Sequence, residues 1–215
     1  MNLNMNLLVE EARKKIVQTC FFLFNRGFAH GSSGNISIKS EKCYVTTPTG
    51  SSFKNLTETD VSVLDEFGNL ISGKKPTKEV PLHLAWYKAN PDHSAVIHLH
   101  STFATAVSCL EDLDSHNVLP ALTPYQIMKI GRVPLIPYEK PGDIKLAESI
   151  EKLSKGSKAV LMSNHGLVCG GENIDAVIEI VEELEATCRL FIILDGKKIN
   201  YLSKEDVFHL KQGAK

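Results

Sequence analysis

The sequence predicts an α/β fold in three layers, α/β/α, around a mixed and largely antiparallel central sheet. Three observations carry this. Stretches with helical spacing interleave with short apolar runs rich in β-branched residues along the whole chain. At least two pairs of runs are joined by turn residues alone, as hairpins are, rather than by the crossover that a parallel pair requires. The last long helical stretch has one apolar face and one acidic face, so it is built to cover a sheet from one side.

The elements follow in order. Leu7–Arg26 carries apolar residues at helical spacing and stops at Gly27, suited to the residue just past a helix. Gly31–Asn35 reads as a loop, followed by strands at Ile36–Ile38 and Cys43–Thr46. Thr47–Gly50 is a second polar loop, and Val61–Leu64 with Asn69–Ile71 forms a hairpin around Glu66-Phe67-Gly68. Thr77 is positioned to cap a helix that reaches Ala89 and is stopped by Asn90-Pro91. Pro81 then falls in the first turn, where a missing N–H costs little. Ser94–His100 reads as a buried strand, Thr102–Leu110 as a helix, Gly131–Pro137 as extended, Asp143–Leu153 as helical and Ala159–Met162 as a strand. In Ile174–Leu194 the apolar residues Ile174, Val177, Ile178, Val181, Leu184, Cys188 and Phe191 step by three or four, with Glu182, Glu183 and Glu185 facing water.

No composition shift or linker divides the 215 residues, so a single domain over 1–215 is expected. A net charge of −1 gives no electrostatic case for a nucleic acid or an anionic membrane as partner. The apolar runs are too short to span a bilayer, and polar residues interrupt Met1–Leu8, so no signal peptide is expected. Five scattered cysteines without CxxC spacing read as reduced thiols of a cytoplasmic protein.

The chemistry concentrates at His98-Leu99-His100. Side chains alternate along a strand, so the two imidazoles share a face and form half of a transition-metal site. A lone histidine in an apolar strand is ordinarily a hydrogen-bonded core residue. Two adjacent buried imidazoles each need a partner and cannot both charge cheaply, which makes the ordinary reading harder for the pair. His165, in Ser163-Asn164-His165-Gly166 after an apolar run, is the third candidate ligand, and Glu79 in Thr77-Lys78-Glu79-Val80 is a candidate acid/base carboxylate. His30, His83, His93, His116 and His209 match no motif and read as structural or surface residues. Three segments, Gly31–Asn35, Thr49-Gly50-Ser51 and Thr77-Lys78, combine small residues with hydroxyl or amide donors that bring backbone N–H groups to an anion, although each alone is also an ordinary turn. Together on a metal-site protein they point to a phosphorylated substrate.

Gly34-Asn35, Thr49-Gly50, Lys78-Glu79, His98-Leu99-His100 and Asn164-His165-Gly166, in this order, resemble the class II aldolase/adducin family over nearly the whole chain. Longer runs, among them Thr47–Ser51, His98–Thr102, Thr123-Pro124-Tyr125 and Pro141-Gly142-Asp143, are similar to its 3-oxo-tetronate 4-phosphate decarboxylases. The resemblance implies Zn²⁺ held by His98, His100 and His165, with Glu79 as the catalytic carboxylate able to approach the metal. It implies a phosphate pocket of Asn35, Thr49, Gly50, Thr77 and Lys78, where Thr77 stands in place of the subgroup's more usual serine and keeps a hydroxyl donor. An exposed lysine at a helix start is the ordinary alternative for Lys78. Tyr125 is a candidate general acid reaching a neighbouring subunit's site, the alternative being a core or interface tyrosine. A homotetramer with sites between subunits is expected, acting on a small phosphorylated sugar acid. The implied reaction is loss of CO₂ through a metal-stabilised ene-diolate to dihydroxyacetone phosphate. A sugar-phosphate aldolase or epimerase would use the same groups, and an adducin-like scaffold would need none of them.

Overall fold

The computed structural model describes residues 3–40 and 42–213, so the first two residues of the opening stretch Met1–Leu8 lie outside it. Helix α1 (Leu3–Asn25) opens the chain and ends at Gly27 with φ +74°, the left-handed residue expected there. Strands β1 (Asn35–Ser40), β2 (Cys43–Thr46), β3 (Ser62–Asp65) and β4 (Leu70–Ser72) follow as an antiparallel meander. The β3–β4 turn is closed by Asp65, whose carboxylate accepts from the N–H groups of Phe67 and Asn69 at 2.9 and 2.8 Å. Then come α2 (Val80–Ala89), β5 (Ala95–Leu99) and α3 (Thr102–Ser108). A single π-helical turn (Gln126–Ile130) precedes β6 (Leu135–Ile136), α4 (Ile144–Leu153), β7 (Ala159–Met162), β8 (Gly166–Gly171), α5 (Ile174–Ile193) and α6 (Lys204–Gly213).

The eight strands form one sheet in the order β4-β3-β2-β1-β5-β8-β7-β6, antiparallel except for the β6–β7 pair. Helices cover both faces, as expected. On one side α1, α3 and α5 bury Ile16, Cys20, Val107 and Leu184 against Ile97, Leu99 and Leu167. On the other, α2 and α4 bury Trp86, Leu146 and Ile150 against Val96, Val160 and Val168. Neighbouring residues of β5, β7 and β8 thus divide between the two cores, which is strand alternation at work.

Several expectations need correction. The helix expected from Thr77 starts at Val80, with Glu79 as the residue before it. Thr77 lies outside the helix: its N–H donates to Thr47 O at 3.1 Å beside a bridge between Pro48 and Pro76, and a turn at Lys78-Glu79 separates it from Val80. The expected helix Thr102–Leu110 ends at Ser108, and only Leu135–Ile136 of Gly131–Pro137 joins the sheet. Strand β8, the π-turn and α6 were not anticipated. Glu185 does not face water. It is 5% exposed and accepts from Ser101 Oγ, Phe103 N and Ala104 N at 2.7, 2.9 and 2.9 Å, so it caps α3 from α5. Among the described residues no helix is long and apolar enough to cross a membrane.

Candidate active site

His98 lies on β5 opposite Asn35 of β1 and Val168 of β8, fully buried. Its Nδ1 is 2.8 Å from Leu167 O, and a carbonyl only accepts, so Nδ1 carries the proton. In the neutral ring this leaves Nε2 bare, the orientation that a ligating histidine takes from its second partner. His100 stands one residue past the strand's end, with its Nε2 3.0 Å from His98 Nε2.

His165 reaches the pair from the β7–β8 turn. That turn is held by Ser163 N to Ile136 O (2.9 Å) and Asn164 N to Ser108 O (3.0 Å), with Asn164 itself left-handed at φ +55°. Gly166 follows at φ +151°, and a Cβ built there would lie 2.3 Å from Leu99 O. Only glycine lets β8 begin this close to the end of β5, and the approach sets His165 beside His100. The three rings stand edge to face with centroids 4.8 to 4.9 Å apart, and one ligand atom from each lies within 4.8 Å of the others.

Glu79 enters this cluster from the start of α2, its Oε2 3.4 Å from His98 Nε2 and its Oε1 3.7 Å from His165 Nε2. Asn35 Nδ2 donates to Oε2 at 2.7 Å, whereas Oε1 is buried with no hydrogen-bond partner. Burial alone raises the Glu79 carboxyl. Its interaction with His98, 3.4 Å away, and the Asn35 hydrogen bond outweigh it and hold the group below the usual carboxylate range. Burial, reinforced by the other histidines, pushes His100 down to about 4, and His165 is pushed to about 4 by burial and His98. Both rings are therefore neutral at pH 7, the form that ligates. His165 Nδ1 is a further buried atom with no partner. Bare nitrogens and an unpaired carboxylate oxygen around one point fit a divalent cation better than they fit a hydrogen-bonded core.

A cavity of about 700 Å³ opens over the cluster. Asn35, Thr49, Gly50, Thr77, Lys78, Glu79, His100 and His165 all line it, with His98 beneath. The Thr77 hydroxyl oxygen accepts from Glu79 N at 3.2 Å, which leaves its proton free to donate. Ser33, Thr105 and Gly142 also form its wall without having been assigned a role from sequence. Gly142 arrives on the turn before α4, whose Pro-Gly signal marks a loop but not its destination. Tyr125 does not line this cavity; it is 63% exposed at the foot of the π-turn, by Lys129 and Glu179.

Two histidines that read as structural or surface residues belong to the site instead: His30 lines the cavity, and His83 reaches it from behind. His83 sits one turn below Glu79 on α2, fully buried, with its Nε2 2.5 Å from Asn35 Oδ1. Burial drives its pKa down to about 3, so it is a neutral ring at pH 7.

The model for the class II aldolase and adducin N-terminal domain matches residues 14–192. A 3-oxo-tetronate 4-phosphate decarboxylase of Pectobacterium atrosepticum is 43% identical over 94% of this chain and 93% of its own. An L-fuculose phosphate aldolase of Haemophilus influenzae is 32% identical over 92% and 90%. The crystal structure of YgbL from Escherichia coli, described as a putative aldolase/epimerase/decarboxylase, superposes with a TM-score of 0.92 at 40% identity, covering 95% of this chain and 99% of that one. Relatives of both kinds are carbon–carbon lyases. The chain belongs to the class II aldolase and adducin N-terminal domain family.

Proposed function

We propose that this protein decarboxylates a 3-oxo-tetronate 4-phosphate to dihydroxyacetone phosphate and CO₂, with zinc as its metal. The observation that carries the reading is the buried, unpaired Glu79 Oε1 beside three imidazoles at the floor of a polar cavity. Identity to decarboxylases above that to the aldolase supports the choice of reaction.

His98, His100 and His165 would hold the zinc ion, and Glu79 can approach it. Bound there, the ion supplies a Lewis acid for the negative charge that develops on the substrate's ketone oxygen. The rest falls to the chain's own groups. The substrate is a β-keto acid, so when the C1–C2 bond breaks its electron pair moves between C2 and C3 and onto that oxygen. C2 must then take up one proton, which comes from solvent; Glu79 Oε1, a carboxylate at rest, is the group placed to take that proton from water and pass it to C2, a role that typically contributes about 10²–10⁴-fold. Thr49, Gly50, Thr77 and Asn35 present N–H, hydroxyl and amide donors for the phosphate, with Lys78 as its counter-charge. Tyr125, remote from the cluster of its own chain, is assigned to the cavity of a neighbouring subunit in a homotetramer. The reading places the enzyme in the cytoplasm.

An aldolase would send the same electron pair to the same oxygen with an aldehyde leaving, and the relative at 32% identity keeps that reading in view. The deciding experiment incubates zinc-loaded protein with 3-oxo-tetronate 4-phosphates of both C2 configurations and follows CO₂ and dihydroxyacetone phosphate, beside fuculose 1-phosphate. Turnover of the sugar phosphate with no CO₂ from either keto acid refutes the decarboxylase. No turnover of any, with zinc bound, leaves the scaffold reading.

A further inference from the structure

Behind Glu79, leading away from the cavity, runs a row of buried polar groups of which the proposed reaction uses only Asn35, on the cavity wall. Glu79, His83 and Tyr87 are spaced by four at the start and along one side of α2, and Asn35 and Ser37 are spaced by two on β1. Docked together they interleave. Asn35 Nδ2 meets Glu79 Oε2 at 2.7 Å, and Asn35 Oδ1 meets His83 Nε2 at 2.5 Å. His83 Nδ1 meets Ser37 Oγ at 2.7 Å, and Ser37 Oγ meets Tyr87 OH at 2.8 Å. Asn35, Ser37, His83 and Tyr87 are each no more than 6% exposed.

The direction of every bond in this row follows from its end. A carboxylate only accepts, so Asn35 must turn its NH₂ toward Glu79 and its carbonyl toward His83. That carbonyl also only accepts, so His83 Nε2 carries the proton. A neutral ring protonated at Nε2 is bare at Nδ1, which therefore accepts the Ser37 hydroxyl proton. Ser37 Oγ then has no proton left for Tyr87, whose own hydroxyl donates to the Ser37 carbonyl at 3.0 Å. Three donors in series, Ser37, His83 and Asn35, point one way, toward Oε2. Reversing any one of them sets two acceptors or two donors against each other in a buried row.

We propose that His83 is a positioning residue for Glu79, acting through Asn35, and that this one-way row divides the labour of the carboxylate. It ties down Oε2 and leaves Oε1 as the oxygen that handles the proton. The assignment explains why Oε1, facing the His165 side, is the unpaired atom of the two. It also gives Asn35 a second task besides lining the phosphate end of the cavity. A fixed carboxylate needs no reorientation when the substrate arrives, which is the gain from holding a reacting group in place. The proposal rests on the reading of Glu79 as the acid/base group.

Two measurements test it. In metal-free protein labelled with ¹⁵N-histidine, nitrogen shifts and one-bond N–H couplings should show His83 protonated at Nε2 and bare at Nδ1. A proton on Nδ1 overturns the row's direction and the proposal with it. The second is kinetic, on zinc-loaded variants. His83→Leu should lower kcat about 10–100-fold, the usual cost of losing a partner that orients a site group. Bound zinc should stay at one per chain and KM should change by less than about threefold. His83→Gln, which again offers an N–H to Asn35 and an oxygen to Ser37, should restore kcat to within about threefold. Wild-type kcat in His83→Leu, or a loss that tracks zinc content, refutes positioning. If His83→Leu does not fold, the tautomer decides alone. Glu79→Gln at wild-type turnover would instead sink the acid/base reading while leaving the His83 tautomer as described, so the two failures are separable.

Discussion

Adding one methyl group at Gly166 probes the geometry on which the whole site depends. The Cβ of Gly166→Ala would meet Leu99 O at 2.3 Å and His100 Cα at 3.2 Å, and real Cβ contacts essentially never fall below 3.0 Å. The start of β8 must therefore move away from the end of β5 by at least 0.7 Å. Neither neighbour is a flexible side-chain end that swings aside, because Leu99 and His100 carry the β5 backbone. His165 precedes Gly166 and moves with it, whereas His98 and His100 stay with β5. Ligand distances in a metal site tolerate about 0.2 Å, so this displacement is several times the allowance. We expect zinc affinity to fall by 10² or more, read by competition with a chelator of known affinity. Overpacking by a methyl and the positive φ together should also lower the stability of the metal-free protein by about 1–3 kcal/mol in urea denaturation. Gly166→Ala that binds zinc within twofold of wild type would show that the three rings do not ligate one ion, and the reasoning fails there.

Glu79→Gln is expected to keep zinc while lowering kcat at least about 10²-fold, because the amide retains shape but carries no transferable acid/base proton; a drop below about threefold removes Glu79 from the chemistry. Glu185→Leu strands the Phe103 and Ala104 N–H groups under α5, so urea denaturation should show a loss of about 2–5 kcal/mol; a change within 0.5 kcal/mol would mean water replaces the carboxylate. His83 sits near 3 in the folded chain against an ordinary 6.5, so its contribution to stability is complete above pH 6.5 and is lost as pH falls toward 3. Between pH 6.5 and pH 5 it should account for about 2 kcal/mol of lost stability in the metal-free protein, and His83→Gln should flatten the slope by that amount; equal slopes in the two proteins would mean that His83 is charged or wet.

The residues that carry the chemistry were legible because strand periodicity is a local property. His98 and His100 share a face on any strand, and an Asn-His-Gly at the end of an apolar run announces a turn that aims a side chain. What stayed hidden depends on docking. Strand β8 is half glycine at its ends and reads as loop, yet its glycines are there because Leu99 O and the Trp86 ring leave no room for a Cβ at Gly166 or Gly170. Glu185 follows two other glutamates on a solvated-looking helix, and nothing local distinguishes it. Its burial follows from α5 crossing the start of α3, where free N–H groups wait. The helix start at Val80 stayed hidden for a similar reason: Thr77 is tied to Thr47 across the sheet edge, and its hydroxyl accepts from Glu79 N in the turn that precedes the helix.

The same contrast explains how one frame serves lyases that release different fragments. In the proposed reaction the groups that direct the electron pair sit at the end of β5, on the β7–β8 turn and at the start of α2, cross-braced by Leu167 O, Asn35 and the row behind it. The cavity's other walls are loops, at Ser32–Ser33, Pro48–Gly50 and Pro141–Gly142, where side chains are less tied to the sheet. On the proposed mechanism an aldehyde and CO₂ leave toward the same electron sink. A decarboxylase then differs from an aldolase in seating a carboxylate where the aldehyde would leave, so the residues separating the two are expected on those loops and not in the histidine cluster.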